Sequence, residues 1–166
     1  MILKDTVINM APIIRRAVPD DSEQILALLE QVEAIHQKGR PDLFREHGTK
    51  YTIPELHKIM ADDERPIFVA VIDDRVVGYI FGIITETRNS TMLFDMKTIH
   101  LDDVCIDESC RGMGIGGALM ECVTEWARSI GCTRMDLDVW EFNDGARRFY
   151  EKYGFITQKR RMDMWL

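Results

Sequence analysis

Four glycines stand close together in residues 111–117, immediately before a segment with helical periodicity. Glycine has no side chain, so the backbone N–H groups of such a loop can approach a ligand closely. The N-terminus of the following helix adds unpaired N–H donors and a partial positive charge. Together these features predict an anion-binding site suited to a pyrophosphate. A tight turn without a ligand is the simpler alternative, but a plain turn needs only one glycine.

The same loop also matches the dinucleotide-binding pattern G-x-G-x-x-G, and Asp136 or Asp138 lies at about the right distance downstream to bind a ribose hydroxyl. Two observations count against that alternative. The pattern normally opens the first unit of a larger parallel sheet, whereas only about fifty residues follow it here. The segment before the loop also carries an acidic pair, Asp102 and Asp103, unlike a strand that is buried on both faces. Nucleotide binding through a Walker motif is excluded, because no Gly-Lys-Ser/Thr follows the loop.

This acidic pair is the second feature that could do chemistry. Asp102 and Asp103 lie inside the otherwise apolar segment 98–106, where charged groups are costly unless they meet water, a partner or a ligand. Strand alternation predicts that His100 and Asp102 share one face and that Asp103 points to the other, unless a β-bulge changes the register. A solvated sheet edge or a structural salt bridge would also account for two carboxylates here.

Hydrophobic periodicity predicts the elements that must position these residues. Alternation and continuous apolar runs indicate strands, whereas apolar residues at helical spacing indicate helices. The predicted strands cover residues 13–17, 67–72, 76–87, 98–106, 135–139 and 156–166. The predicted helices are one ending at Gly39, a short one after Thr52, one over residues 115–130 and one over residues 143–153. Because hairpins and helical crossovers both occur, we expect an α/β fold with a mixed sheet, in the order β-α-α-β-β-β-α-β-α-β.

Composition favours one globular domain. The chain has 166 residues, of which 46% are hydrophobic and 30% are charged, which is ordinary for a folded protein. We expect residues 1–12 to form an N-terminal extension before a single domain over residues 13–166. The net charge of −7 argues against binding to a nucleic-acid backbone, which requires a basic face. A positively charged small partner fits this charge better.

The sequence also favours one cellular compartment. No apolar run approaches the roughly 18 residues that a membrane helix needs, and the first ten residues do not resemble a secretory signal. The four cysteines form no C-x-x-C pair and have no histidine at zinc spacing. We therefore expect a cytoplasmic protein with reduced thiols, without a metal and without membrane association.

Two motifs carry a resemblance to a known family. Residues 111–116, R-G-M-G-I-G, resemble the acyl-CoA signature (Q/R)-x-x-G-x-(G/A) of the GCN5-related N-acetyltransferase (GNAT) family. Residues 143–155, N-x-x-A-x-x-F-Y-E-K-x-G-F, resemble the second motif of that family. The predicted order of elements also fits the GNAT fold. The resemblance covers nearly the whole chain beyond the first dozen residues.

The resemblance implies where acetyl-CoA binds. In that family the cofactor lies between two parallel strands that splay apart, which correspond here to residues 98–106 and 135–139. Its pyrophosphate lies on the glycine loop and its pantetheine runs beside the first strand, where a backbone N–H also polarises the thioester carbonyl. The residues implied to contact acetyl-CoA are Val104, Cys105, Ile106, Arg111, Gly112, Met113, Gly114, Ile115, Gly116, Gly117, Asn143 and Tyr150.

The resemblance also implies catalytic residues. Tyr150 stands where the family places the acid that protonates the departing thiolate. A thiol has a pKa near 8.5 and a phenol one near 10, so Tyr150 can donate a proton or simply a hydrogen bond. A packed aromatic on a helix face is the alternative role. A general base must also take a proton from the incoming amine. The candidates are Asp102, Asp103 and His100 on the predicted strand over residues 98–106. We favour Asp102, because alternation places it on the same face as His100.

The implied function is transfer of an acetyl group from acetyl-CoA to a primary amine by direct attack in a ternary complex. Glu86, His100 and Asp102 are expected to contact the acceptor. An acidic mouth would favour a cationic amine, such as a polyamine, an aminoglycoside-like amine or a peptide amine. The acidic residues expected there are Glu86, Asp95, Asp102, Asp103 and Glu141. A non-catalytic acyl-CoA-binding module on the same fold is the alternative function. The sequence does not decide between a monomer and a homodimer.

Overall fold

Nine helices and strands make up the part of the chain that the computed structural model describes, residues 11–166. The strands are β1 (Ile13–Arg16), β2 (Ile67–Ile72), β3 (Arg75–Thr87), β4 (Met96–Ile106) and β5 (Arg134–Leu137). The helices are α1 (Ser22–Gly39), α2 (Ile53–Met60), α3 (Ile115–Ser129) and α4 (Asp144–Lys152). The predicted extension over residues 1–12 lies almost wholly outside the described residues. No helix among residues 11–166 is long and apolar enough to span a bilayer.

The five strands form one mixed sheet in the order β1-β2-β3-β4-β5. All neighbouring pairs are antiparallel except β4 and β5, which run parallel. The parallel pairing extends from Thr98 opposite Arg134 to Leu101 opposite Leu137 and stops there, although β4 continues to Ile106. The edge of β4 beyond Leu101 is therefore not covered by β5, as expected for a pair of splayed strands.

Each face of the sheet packs against helices. Apolar residues of α1 and α2 contact one face, which includes Val69, Tyr79 and Phe81. The opposite face packs against α3 and includes Ile80 and Ile99. These two cores hold β4 in place from both sides, and so fix the strand on which the acidic pair lies.

A β-bulge interrupts the pairing of β3 with β4 at Asp102. Asp103 lies opposite Phe81 and Leu101 lies opposite Gly82, so Asp102 is the additional residue between two paired positions. Such a bulge shifts the alternation of side chains by one residue. The β-bulge that the sequence analysis left open is therefore present, and the arrangement expected for unbroken alternation, with Asp102 and Asp103 on opposite faces, does not apply.

The bulge also changes which residues share a face with His100. Before the bulge Leu101 packs in the core on the α3 side, and after it Val104 packs against the same core. Cys105, by contrast, lies in the core on the α1 and α2 side. Alternation on each side of the bulge therefore groups His100 with Asp103 and Cys105. His100 nevertheless does not join the acidic pair, because its Nδ1 lies 2.7 Å from Asp136 Oδ1.

The predicted last strand does not form. Residues 156–166, here called the C-terminal tail, contain no helix or strand, and Met162, Met164 and Leu166 are almost fully exposed. The apolar alternation that predicted a strand is present, but a strand also needs a neighbour for its backbone hydrogen bonds. Among residues 11–166 nothing pairs with the outer edge of β5 or with the tail.

Candidate active site

The glycine loop lies directly after β4 and runs into α3. Gly112 and Gly114 have φ angles of +78° and +81°, a conformation that favours glycine, and Gly114 is the N-cap of α3. In the described part of the chain, no turn, loop or cap hydrogen bond uses an N–H from residues 111–117. The Arg111 side chain folds back, and its Nε donates to the Ile106 carbonyl oxygen at 3.2 Å. The loop therefore presents free backbone donors, as a pyrophosphate site requires.

Asp107 fixes the turn that leads into this loop. Its Oδ1 accepts from the Ser109 N–H at 2.9 Å, and its Oδ2 accepts from Arg75 Nη2 at 2.7 Å. These contacts lower the pKa of Asp107, first through its bond to the Ser109 hydroxyl. The sequence prediction did not include Asp107, because the pattern of the loop begins at Arg111.

The other two glycines of the loop contact α4. A Cβ on Gly116 would lie 3.1 Å from the Phe149 ring, and one on Gly117 would lie 2.5 Å from the Tyr153 hydroxyl oxygen. Neither position has a positive φ. Gly116 and Gly117 therefore allow close packing of two helices, whereas the sequence prediction gave all four glycines to the ligand.

The start of α4 is held by Asn143, whose Oδ1 accepts from the Ala146 N–H at 3.1 Å. This cap satisfies one of the unpaired N–H groups of the first turn. Asn143 thus has a structural role, in addition to its implied place near the pantetheine.

Tyr150 lies on α4 between two aromatic rings, with ring centroids 5.4 Å from Phe149 and 5.7 Å from Phe155. Burial raises the pKa of Tyr150 well above its usual value, and the negative charge of Asp103 raises it further. A phenol with a raised pKa stays protonated at neutral pH, so it can donate a hydrogen bond there. A Cβ on Gly116 would meet both the Phe149 ring and the Ile106 side chain, so α4 packs beside the end of β4.

The two carboxylates converge on one lysine. Lys50 Nζ donates to Asp102 Oδ2 at 3.0 Å and to Asp103 Oδ2 at 3.2 Å. The Tyr51 hydroxyl donates to Asp102 at 3.1 Å, and the Tyr79 hydroxyl donates to Asp103 at 3.3 Å. The bulge makes this possible, because it turns both carboxylates toward the α1 and α2 side. We call these five residues the carboxylate–lysine cluster.

The two carboxylates differ in burial. Asp103 is 8% exposed, and this burial raises its pKa although Lys50 acts in the opposite direction. Burial also acts to lower the pKa of Lys50, but the charges of Asp103 and Asp102 outweigh it and raise that pKa. Burial raises the pKa of Tyr79 as well. Asp103 thus lies buried beside an ammonium group, with a pKa raised above the usual value of an aspartate.

His100 is engaged elsewhere. Its Nδ1 lies 2.7 Å from Asp136 Oδ1, and Asp136 also pairs with Arg134 at 2.9 Å. His100 and Asp136 face each other across the parallel pairing of β4 and β5. Asp136 is also one of the two carboxylates that the dinucleotide alternative requires for a ribose, and it is already bound to these partners.

Glu86 lies far from the acidic pair. It stands five residues along β3 from Phe81, the partner of Asp103, which at about 3.3 Å per residue is roughly 17 Å. Its carboxylate pairs with Arg88 at 2.7 Å and with Lys97 at 3.8 Å. The structure thus does not bring Glu86 together with Asp102 and Asp103.

The expected acidic mouth is largely neutralised. Asp95 accepts from the Asn89 N–H, and Glu141 lies 3.7 Å from Arg147. Since Glu86 and the acidic pair also have basic partners, the five acidic residues do not form one negative surface.

An aromatic group borders the site. The rings of His36 and Phe44 are 5.2 Å apart, Phe44 is 5.5 Å from Trp140, and Trp140 stacks on Phe142 at 5.8 Å. The Phe142 ring packs directly on Gly39, where a Cβ would collide with it. His36 belongs to α1, whereas Trp140 and Phe142 lie between β5 and α4, so the aromatic group links these elements. No local pattern in the sequence predicts this group, because nothing local links residues 36–44 to residues 140–142.

Comparisons with known proteins agree with this geometry. Residues 29–155 match the family model described as the acetyltransferase (GNAT) family. An uncharacterized N-acetyltransferase of Methanocaldococcus jannaschii is 36% identical over 93 residues, which are 55% of this chain and 53% of that protein. The glucosamine 6-phosphate N-acetyltransferase of Trypanosoma brucei brucei is 41% identical over 63 residues, which are 38% of this chain and 41% of that protein. The chain thus spans about half the length, or less, of these curated relatives.

Solved structures extend the similarity to the whole fold. A mutant of the BH1408 protein from Bacillus halodurans superposes with a TM-score of 0.88 at 29% identity, covering 93% of this chain and 99% of that chain. The aminoglycoside N-acetyltransferase AAC(6')-Iy in complex with CoA has a TM-score of 0.70 at 18% identity, covering 93% and 98%, which shows the fold alone. Because the family model covers most of the sequence and both family motifs lie within it, the chain belongs to the GNAT acetyltransferase family.

Proposed function

We propose that this protein transfers an acetyl group from acetyl-CoA to a primary amine by direct attack in a ternary complex. One observation carries this proposal: the pairing of β4 with β5 stops at Leu101, immediately before the acidic pair. The uncovered edge of β4 then leads into the glycine loop with its free N–H groups. A ligand that carries an extended arm and a pyrophosphate fits this arrangement, with its arm along the strand edge and its pyrophosphate on the loop.

The chain's own backbone would hold acetyl-CoA, which supplies an activated thioester when bound. The N–H groups of residues 111–117 would bind the pyrophosphate, helped by the start of α3. The uncovered backbone of Val104, Cys105 and Ile106 would pair with the pantetheine as an added strand does. A backbone N–H on this edge would also polarise the thioester carbonyl, which stabilises developing negative charge on its oxygen.

Asp103 is our proposed general base. Its raised pKa makes it a better proton acceptor than an exposed aspartate, because the basicity of a group follows its pKa. The charge of Lys50 favours the ionised carboxylate, because it acts to lower that pKa. In this arrangement Asp103 takes a proton from the incoming ammonium group, directly or through one water. Asp102, with its two partners Lys50 and Tyr51, orients the cluster.

Tyr150 is our proposed partner of the departing thiolate. The pKa of a phenol already lies above that of a thiol, and burial raises it further in Tyr150, so complete proton transfer from Tyr150 to sulfur is uphill. A hydrogen bond from the phenol to the charged sulfur is favourable, and bonds to charged groups contribute about 1.5–3 kcal/mol. Tyr150 therefore stabilises the leaving group chiefly as a hydrogen-bond donor.

The acceptor class is an amine on a small molecule or peptide. Relatives named above act on an amino sugar phosphate and on aminoglycosides by their names. In this chain Lys50 neutralises part of the acidic pair, so a polycation has less reason to be preferred than the sequence indicated.

A screen of amines tests the proposal. Amino sugars, aminoglycosides, polyamines and peptide amines would each be incubated with acetyl-CoA and protein, with CoA release read by a thiol reagent and the N-acetyl product by mass spectrometry. We expect at least one amine to give stoichiometric product. Tyr150→Phe, which keeps the ring, should lower turnover on that amine about 10²-fold with little change in acetyl-CoA affinity.

Other outcomes would contradict specific parts of the proposal. Tight acetyl-CoA binding without any acetylated product would indicate a non-catalytic binding module. Binding of NADH without binding of CoA would restore the dinucleotide alternative. Wild-type turnover of Tyr150→Phe would show that this tyrosine serves only in packing.

A further inference from the structure

Lys50 brings an amine of the chain itself to the acidic pair. Its Nζ donates to the Asp102 carbonyl oxygen at 3.3 Å, and to the carboxylates of Asp102 and Asp103 at 3.0 Å and 3.2 Å. These contacts match the three N–H donors of an ammonium group. Among residues 11–166, no other lysine ammonium lies within hydrogen-bond or ion-pair distance of either carboxylate. Lys50 thus stands where the proposed reaction needs the ammonium group of an acceptor.

The ammonium also lies at the start of the uncovered edge of β4. Asp102 is the additional residue of the bulge, and the pairing of β4 with β5 stops one residue earlier, at Leu101. The Asp102 carbonyl oxygen that Lys50 binds therefore belongs to the first residue of the uncovered stretch. Along this same stretch we propose that the pantetheine of acetyl-CoA pairs. The Lys50 ammonium and the proposed cofactor therefore meet at one strand.

The segment that carries Lys50 is held in place on both sides of the site. The Tyr51 ring stacks on Phe81, with ring centroids 5.7 Å apart, and the Lys50 Nζ lies 5.6 Å from the Tyr51 centroid. The Thr52 N–H donates to Glu55 Oε2 at 2.7 Å, which caps the start of α2. An ordered segment positions its amine in advance, and such positioning is what makes an intramolecular reaction fast.

We propose that the protein acetylates its own Lys50. The inference rests on the proposed function, because it uses the same acetyl-CoA, the same base and the same leaving-group partner. Asp103 accepts one proton from the Lys50 ammonium and passes it to water, and the freed lone pair of Nζ attacks the thioester carbonyl carbon. An N–C bond forms, the C–S bond breaks, and the sulfur leaves with the electron pair beside the Tyr150 hydroxyl. The second proton lost by Nζ goes to the thiolate, which gives free CoA.

This modification removes a positive charge from the carboxylate–lysine cluster. An acetylated lysine is neutral, so the two carboxylates lose the counter-ion that they share. Asp103 loses the charge that acts to lower its pKa, and this pKa should therefore rise in the modified protein. Because the amide nitrogen is no longer a nucleophile, each chain reacts once and keeps the change.

Mass-spectrometric peptide mapping tests the proposal, after incubation with isotope-labelled acetyl-CoA and no added amine. Label should enter Lys50 at least about tenfold faster than Lys58, an exposed lysine of α2. Uncatalysed acetylation in solution predicts the opposite order, since it needs a free amine. Burial acts to lower the pKa of Lys50, but the charges of Asp103 and Asp102 outweigh it and raise that pKa. Labelling of Lys50 no faster than that of Lys58 would overturn the proposal.

Two variants test whether the site itself does this chemistry. Asp103→Asn and Tyr150→Phe should each slow the labelling of Lys50 about 10²-fold and leave that of Lys58 unchanged. Asp63→Asn, on an exposed position after α2, is the matched control and should label Lys50 as the wild type does. Acetyl groups acquired before incubation carry no label and are compared between wild type and Asp103→Asn in the same way. Circular dichroism checks that each variant is folded.

A mixing experiment tests whether each chain modifies itself. When wild-type protein is incubated together with Asp103→Asn, the variant should stay unlabelled at Lys50. Labelling of the variant by the wild type would overturn the proposal, and so would wild-type labelling of Lys50 in either Asp103→Asn or Tyr150→Phe alone.

A titration of the modified protein, freed of CoA, gives a second readout that requires no turnover. NMR of isotopically labelled aspartate side chains should show Asp103 titrating at higher pH after acetylation of Lys50, and an unchanged titration would overturn the proposal. The amine screen separates this inference from the proposed function. Transfer to an external amine while Lys50 stays unlabelled would overturn the inference alone. Selective labelling of Lys50 without transfer to any external amine would support the inference, and transfer to neither would overturn both.

Discussion

The surroundings of the Asp103 carboxylate are formed by residues that are far apart in the sequence. Lys50 comes from the segment before α2, Tyr79 from β3, and Asp103 itself from the bulged part of β4. Burial among these groups raises the pKa of the Asp103 carboxyl, and the charge of the Lys50 ammonium group acts to lower it. A carboxylate with a raised pKa beside an ammonium group is the kind of base that we propose removes a proton from the amine.

Removing the positive charge should move the pH dependence of the reaction. Lys50→Met deletes the group that lowers the pKa of Asp103, so this pKa should rise further. Because the base acts only when ionised, the acidic limb of the kcat/KM profile should shift to higher pH. Lys50→Arg should keep the limb near its wild-type position, and Lys58→Met, on an exposed position of α2, is the control. A limb that does not move in Lys50→Met would mean that Asp103 is not the titrating group.

The residue types that could do chemistry were visible in the sequence, but their partners were not. The acidic pair and Tyr150 stand out because charged groups in an apolar strand and a tyrosine in a family motif are local signals. Lys50, Tyr51 and Tyr79 carry no such signal, since they meet Asp102 and Asp103 only through tertiary folding. The sequence left a β-bulge open but did not locate it, because a single additional residue in β4 leaves no pattern in the composition.

At the scale of elements, the contact between α3 and α4 places Tyr150. Gly116 and Gly117 let the Phe149 and Tyr153 rings pack against the first turn of α3. Larger side chains there would push α4 away and carry Tyr150 with it. The glycine loop thus has two functions: free donors at its start and helix packing at its end.

A double-mutant cycle measures this packing. Gly117→Ala places a Cβ 2.5 Å from the Tyr153 hydroxyl oxygen and should destabilise the fold by about 1–3 kcal/mol, the usual effect of overpacking, less up to about 1 kcal/mol gained from helix propensity. Tyr153→Phe removes the oxygen and should cost little alone. The double variant should therefore regain most of the loss in urea unfolding. Strict additivity of the two changes would contradict the contact.

The elements themselves were largely predictable. Four helices and five of six strands follow from apolar periodicity, with ends within a few residues of those observed. The sixth predicted strand does not form, for a reason that hydrophobic periodicity does not report. Alternation reports which side of a segment is apolar, but whether a neighbour exists to pair with it depends on the rest of the molecule.

For the whole molecule, the fold brings four separate parts to one place. The open edge of β4 and the glycine loop supply backbone donors, α4 supplies Tyr150, and the segment before α2 supplies Lys50. The aromatic group of His36, Phe44 and Trp140 links α1 to the segment that follows β5. Membership of the GNAT family accounts for the first three parts, whereas the carboxylate–lysine cluster emerged only from the structure.

The central claim is that Asp103, and not Asp102, removes the proton from the amine. Its most direct test is the pH–rate profile of Asp103→Asn beside that of Asp102→Asn, measured on the best amine from the screen. We predict that Asp103→Asn lowers turnover about 10²-fold or more and loses the acidic limb, while acetyl-CoA affinity is unchanged. Asp102→Asn should retain the limb, since its carboxylate only orients Lys50 and Tyr51. Loss of the limb in Asp102→Asn, with a wild-type profile for Asp103→Asn, would contradict the claim.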